Sequence, residues 1–252
     1  MTFCVGMRVE SGLVGIADTR VTSGSECIQA RKLSVYEGPG WSMFFMTSGL
    51  RSVRDKAVTY FDDAVSQLDE KTTRLYQLVN LLAQQVRRVS EEDRESLAKS
   101  DLRFDIHVLV GGQMQGDPTH CLYQIYPEGN WVEIGEGTPY HIIGASGYGK
   151  PVLDRTLTHA DPLRFALKVG ILAFDSTRIS AADVDFPVDV AMYVKDTFRI
   201  ISHRYEKEEL HEISLWWQDQ LRRTVRDLSL TPLQPLLQQL PAPAAASRSL
   251  TS

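Results

Sequence analysis

Closely spaced pairs of apolar, β-prone runs constrain this chain more than any other feature. Residues 2–9 and 13–17 are parted only by Glu10-Ser11-Gly12, and residues 33–36 and 41–46 only by Glu37-Gly38-Pro39-Gly40. Neither gap can hold a crossover helix, so each pair is predicted to be an antiparallel hairpin, with glycine and proline supplying the turn dihedrals. The runs alternate poorly between apolar and polar residues, the pattern of strands covered on both faces. Sheets of this kind need a further layer on each side.

Helices supply those layers. Val53, Ala57, Phe61, Ala64, Val65 and Leu68, then Leu75, Leu78, Val79, Leu82, Val86 and Val89, recur at three- and four-residue spacing, which predicts two helices with one apolar face each. The charge-rich stretch 90–102 reads as a loop or helix end. Strands at 104–110, 121–126, 131–134 and 140–143 begin a second sheet. Asp161 before Pro162 reads as an N-cap with proline at the first helical position, opening a helix that ends near Ser180. Residues 188–194 and 197–202 form a last hairpin, and Leu210, Ile213, Trp217, Leu221 and Leu228 mark one side of a last helix. There is no βαβ alternation and no internal repeat. The expected fold is therefore α+β, a four-layer αββα sandwich of two antiparallel sheets flanked by helices. Residues 2–230 would form this domain, with 231–252 as a tail expected to be disordered.

Composition excludes several functions. The net charge is −5 with both signs mixed along the chain, so there is no basic stripe to bind nucleic acid. Cys4, Cys27 and Cys121 are odd in number and lack CxxC spacing, which argues against a disulfide framework or zinc site and fits a reducing cytoplasm. The six histidines show no HExxH spacing, and neither a metal nor any cofactor is implied. No apolar run approaches the ~20 residues of a membrane span, and the N-terminus does not read as a signal peptide.

The start Met1-Thr2 offers a different chemistry. A threonine hydroxyl is a weak nucleophile that needs an adjacent base. If Met1 is removed, the α-amine of Thr2, with a reference pKa of about 7.7–8.0, lies within reach of its own hydroxyl. A nearby cation would lower that value and keep the amine able to accept a proton. Met-Thr alone is a common start, but its company is not. Gly15-Ile16-Ala17-Asp18-Thr19-Arg20, Arg31-Lys32 before Leu33-Ser34-Val35, and Met46-Thr47-Ser48-Gly49 entering a helix together resemble the N-terminal half of proteasome β-subunits. The start MTFCVG, the stretch GASGYGKPVLDR and Asp175-Ser176-Thr177 resemble more closely the Anbu family, the proposed bacterial ancestral β-subunit, over roughly residues 2 to 225.

The resemblance implies an N-terminal-nucleophile hydrolase fold and a threonine-type peptidase acting on peptides or unfolded protein within a homo-oligomer, closed ring or open spiral. It leaves room for an ATP-dependent unfoldase as partner, which the sequence does not indicate. By the same resemblance Thr2 is the nucleophile, Lys32 the ammonium beside its amine and Asp18 the carboxylate that orients the lysine. Ser48 and Gly49 match the backbone that donates to the oxyanion, and Met46 falls at the base of the substrate pocket. Ser146 resembles the serine that hydrogen-bonds the amine, and Asp175 a supporting carboxylate whose serine companion is Ser176 or, preferably, Ser180. Cys4 reads as a buried apolar residue rather than a nucleophile.

Two rivals remain. A non-catalytic assembly subunit would share the fold without the chemistry. Residues 144–150, GASGYGK, satisfy the phosphate-binding pattern GxxxxGK, but Pro151 stands where a Ser or Thr would hold Mg²⁺ and removes a backbone donor.

Overall fold

The computed structural model describes residues 2–23, 26–69 and 71–240, with the backbone alone for 22, 23, 26 and 27. Met1, the Cys27 side chain and the tail past Leu240 lie outside the described residues. The chain divides into a unit comprising residues 1–211 and a second comprising 212–252.

The first unit opens with the expected hairpin, β1 (Phe3–Val9) and β2 (Gly12–Asp18). Two short strands the sequence did not reveal follow, β3 (Arg20–Ser23) and β4 (Glu26–Gln29), paired only with each other. The second expected hairpin is β5 (Leu33–Gly38) and β6 (Trp41–Gly49). Helices α1 (Arg51–Val65) and α2 (Leu75–Lys99) come next, then β7 (Ile106–Met114), β8 (Cys121–Ile125), β9 (Trp131–Glu133) and β10 (Tyr140–Gly144). Helices α3 (Lys150–Thr156) and α4 (Leu163–Ser180) precede the last hairpin, β11 (Val188–Val194) and β12 (Ile200–Tyr205).

The strands do not sort by sequence order as expected. One sheet runs β10-β1-β2-β11-β12 and the other β5-β6-β7-β8-β9. The two early hairpins therefore fall in different sheets, and β7 continues the second hairpin rather than starting a new sheet. Three separate apolar clusters define the four layers. Val5, Met7, Val14 and Ile16 pack with Ala166, Val169 and Phe174 of α4. Met43, Phe45, Val108 and Val110 pack with α1 and α2 through Phe61, Leu78 and Leu82. Cys4, Leu13, Phe44, Met46, Leu109 and Leu122 fill the space between the sheets. All seven residues of β1 and of β2 are buried, which is why the sequence shows no alternation there.

Other boundaries also move. Of the two alternatives for the charge-rich stretch, residues 90–99 are the end of α2, because Glu and Arg are good helix formers and pair at helical spacing, as Arg88 does with Glu92 (3.1 Å) and Lys99 with Glu95 (2.9 Å). Lys56 of α1 adds cross-helix pairs to Glu92 (2.7 Å) and Asp93 (2.8 Å). Pro162, not Asp161, is the N-cap of α4; the Asp161 carboxylate instead accepts from the N–H and hydroxyl of Thr158. The long helix α5 (Lys207–Asp227) starts in the first unit, where Leu210 is buried. In the second unit a 3-10 turn (Thr231–Leu233) and the short helix α6 (Gln234–Leu237) occupy part of the stretch expected to lack structure. No described helix is long and apolar enough to cross a membrane.

His120 is buried at the sheet end, with Nε2 donating to the Val9 carbonyl at 2.8 Å, an arrangement that fixes the neutral tautomer. Burial lowers its pKa from 6.5 to about 4, with Arg8 and Lys195 acting the same way. The unfolded chain takes up this proton near pH 6.5 while the folded one resists until about pH 4, so stability falls as pH drops through that window. The loss should be on the order of 2–3 kcal/mol. Urea unfolding of the wild type between pH 7.5 and 4.5 is expected to show it, and His120→Gln should flatten the profile.

Candidate active site

Strand β1 carries Thr2 to the end of the inner layer, where its neighbours are set by backbone geometry. Phe3 pairs with Gly144 of β10, and Cys4 with Ala17 of β2. The Ala145 N–H donates to the Thr2 carbonyl at 2.6 Å. Gly144 has φ +90°, and a Cβ there would stand 1.9 Å from the Thr2 carbonyl oxygen. Only glycine lets β10 approach this closely.

Asp18, the last residue of β2, is fully buried, and its Oδ1 accepts two donors: the Phe3 N–H at 2.8 Å and the Lys32 ammonium at 2.7 Å. Lys32 is also buried and donates a second bond to the Arg20 carbonyl at 2.6 Å. Burial pushes the Asp18 carboxyl upward from the ordinary carboxylate range, while Lys32 and the Phe3 N–H pull it back. Asp18 Oδ2 has no hydrogen-bond partner among the described residues. The pair thus ties Lys32, one residue before β5, to the backbone immediately after Thr2. The Arg20 carbonyl was invisible to sequence reading, because a backbone acceptor has no side-chain signature.

The remaining expected residues are arranged less tightly. Ser48 is part-buried, and Gly49 is exposed at the end of β6 with φ +126°, where a Cβ would stand 2.3 Å from the Asp105 carbonyl oxygen. The chain turns there into α1, whose N-cap Leu50 offers no side-chain acceptor. Ser146 follows Ala145 in the loop leaving β10; it is exposed, and its hydroxyl makes no hydrogen bond among the described residues. Asp175 is buried on α4 and paired with Arg178 at 2.7 Å, with no bond to Thr2 or Ser146 among the described residues. Ser180 is exposed at the last turn of α4, while Ser176 donates to the Leu172 carbonyl within that helix. Cys4 is fully buried, and burial raises its thiol pKa, away from the thiolate a nucleophile needs.

Met46, expected at the base of the substrate pocket, lies in the layer between the sheets. It is fully buried between the sheets with Cys4, Leu33 and Leu109. Side chains alternate along a strand, so Thr47 takes the opposite face. There a recess of about 260 Å³, between the β5–β6 hairpin and α1, is lined by Lys32, Thr47, Arg31 and Arg54. A larger open groove of about 750 Å³ lies between α1 and α2 and includes none of the expected site residues.

The glycine-rich segment does not form a phosphate cradle in this setting. It leaves β10, an antiparallel edge strand, and Lys150 is engaged by Asp154 (2.8 Å) and the Tyr140 hydroxyl (2.9 Å). Among the described residues no three His, Cys, Asp or Glu side chains cluster to hold a metal.

No family model and no curated protein matches the sequence. Solved structures do. A variant of Anbu from Hyphomicrobium sp. strain MC1 is 30% identical over 91% of this chain and 98% of its own, with a TM-score of 0.84. Anbu from Yersinia bercovieri is 28% identical, covering 96% of this chain and 99% of its own, with a TM-score of 0.78. The Anbu complex from Pseudomonas aeruginosa, solved as a helical assembly, is 28% identical over 97% and 99% of the two chains, with a TM-score of 0.78.

Removing one member of the buried pair should leave the other charged and without a counter-ion. Asp18→Asn is therefore expected to lower stability by about 3–5 kcal/mol, whereas the double change Asp18→Asn, Lys32→Met should recover part of that loss. A double-mutant cycle in guanidinium unfolding measures the coupling.

Proposed function

Because the chain belongs to the Anbu, or ancestral β-subunit, family of proteasome-like proteins, we propose that it is an N-terminal-threonine peptidase working as a self-assembled complex. The observation that carries this reading is the buried Asp18–Lys32 pair held on the Phe3 N–H, one residue from Thr2. An ammonium at this place disfavours protonation of a free Thr2 amine and so keeps it neutral, able to accept a proton.

With Met1 removed, the Thr2 hydroxyl oxygen bonds to the substrate carbonyl carbon while its proton passes to the α-amine. Collapse of the tetrahedral species expels the leaving amine, which takes that proton, and water then hydrolyses the ester left on Thr2. Backbone donors at Ser48 and Gly49 suit the oxyanion, aided by the N-terminal end of α1. In this scheme Ser146 orients the amine or a water beside it, and Asp175 and Ser180 support that loop from α4.

Mass spectrometry of active protein should find Met1 absent and Thr2 labelled by a peptide epoxyketone. Thr2→Ala should abolish both labelling and turnover, Thr2→Ser should retain part of the activity, and Lys32→Ala should lose about 10²–10⁴-fold in kcat. Equal turnover from protein that quantitatively retains Met1 would rule the mechanism out.

Self-association is supported by the helical assembly of the Pseudomonas aeruginosa relative. It is also supported by the second unit, where Leu215, Trp216, Leu221 and Val225 of α5 are 47–73% exposed, an apolar surface typical of interfaces. Analytical ultracentrifugation at micromolar concentration is expected to give an oligomer, and a monodisperse monomer would contradict the proposal.

A further inference from the structure

The glycine-rich segment 144–150 forms no phosphate cradle, yet both of its ends are tied to the first residues of β1. At its start the Ala145 N–H donates to the Thr2 carbonyl at 2.6 Å. Near its end Gly149 is buried, and a Cβ there would stand 2.9 Å from the Ala173 carbonyl oxygen and 3.0 Å from the Phe3 ring. Between these anchors the Lys150 N–H donates to the Ser146 carbonyl at 3.1 Å. The place of Ser146 therefore follows from the place of Lys150, the first residue of α3. Lys150 in turn reaches back to the strand that the segment leaves. Its ammonium donates to the Tyr140 hydroxyl at 2.9 Å and to Asp154 Oδ1 at 2.8 Å, and the Tyr140 hydroxyl donates to the same carboxylate oxygen. Tyr140 is buried on β10, opposite Met7 of β1. The three side chains close a ring that runs from β10 through the turn into α3 and back to β10.

The Lys150 and Asp154 side chains are 52% and 45% exposed, and an ion pair so exposed contributes little to global stability. Its effect is local. Around Gly147, at the apex of the turn, no atom lies within 4 Å of where a Cβ would stand, so packing does not hold the apex. The bond to Asp154, then that to Tyr140, raises the Lys150 pKa, and the bond from Lys150 lowers that of Asp154. The bridge therefore stays charged through neutral pH. Resting on the threonine-nucleophile reading, we propose that Lys150 is a positioning residue for the reaction, and that its bridge to Tyr140 and Asp154 holds Ser146 in place at the Thr2 amine. A Ser146 hydroxyl held there donates to the neutral amine and favours its unprotonated form. Released from the bridge, the turn can shift, and a displacement on the order of 1 Å can cost about 10²-fold in rate.

The test uses full-length protein lacking Met1 and reads kcat and KM for a fluorogenic peptide, the rate of Thr2 labelling by a peptide epoxyketone, and the thermal unfolding midpoint. Lys150→Met is expected to lower kcat and the labelling rate about 10- to 10²-fold, with KM and the midpoint little changed. The acid limb of its kcat/KM profile should move to higher pH, as in Ser146→Ala, because the amine loses the bond that favours its neutral form. Tyr140→Phe keeps the lysine charge but cuts the tie to β10, so it should behave like Lys150→Met and exclude a through-space effect of the charge. Lys150→Arg, which keeps charge and donors, should recover most of the rate. Both effects pass through one hydroxyl, so Lys150→Met added to Ser146→Ala should cost nothing further. Wild-type rates in Lys150→Met, a full additional loss in that double variant, or a loss matched by a lowered unfolding midpoint would each overturn the positioning role while leaving the nucleophile intact. If wild-type protein lacking Met1 neither cleaves the peptide nor takes the epoxyketone, the nucleophile reading fails and the positioning role falls with it.

Discussion

The Asp18–Lys32 ion pair is the interaction on which the arrangement of this molecule turns. Asp18 ends β2 in one sheet, and Lys32 stands one residue before β5 in the other. Their 2.7 Å contact, with neither side chain more than 3% exposed, crosses from one sheet to the other where strands can offer no shared backbone ladder. Taking two charges out of water costs several kcal/mol each, and the cost is offset only with close geometry and further hydrogen bonds. The Phe3 N–H and the Arg20 carbonyl supply those bonds. The bond from the Phe3 N–H that helps stabilise the pair therefore also fixes the backbone directly after Thr2.

Glycine completes that positioning from the other side. With φ +90° at Gly144, β10 comes close enough for the Ala145 N–H to reach the Thr2 carbonyl. Thr2 is thus held between two neighbours by backbone bonds rather than by its own side chain. The loop after Ala145 can therefore carry an exposed Ser146 without disturbing the strand.

Strand parity decides what surrounds the site. One residue separates Met46, sealed between the sheets, from Thr47, which faces the recess. Because the period of a strand is two, an assignment displaced by one position exchanges a core residue for a pocket residue. Arg31 and Arg54 lie near each other only because α1 folds back over the β5–β6 hairpin, and Arg54 is neutralised by Asp55 within its own helix.

The sequence alone determined the class of fold. Unbroken apolar runs such as Phe3–Val9 require cover on both faces, and the spacing of Val53, Ala57 and Phe61 or of Leu78, Leu82 and Val86 can bury one face only as a helix. Those are local constraints, written in consecutive residues. The short motifs around Thr2, Asp18 and Lys32 carried the family resemblance, and the structure brings Asp18 and Lys32 together at the Phe3 N–H. The sharing of strands between sheets was not legible, because the pairing of β1 with β10 joins residues about 140 positions apart and leaves no mark in either segment. The choice between loop and helix end for 90–99 was also left open, because charge pairs reaching across to Lys56 support a helix there that lacks a strong apolar stripe. The Arg20 carbonyl, the unpaired Thr47 hydroxyl and the engagement of Asp175 by Arg178 were decided by tertiary structure alone. A hydrogen-bond partner is a matter of distance and direction in space, and neither is encoded in the identity of a residue.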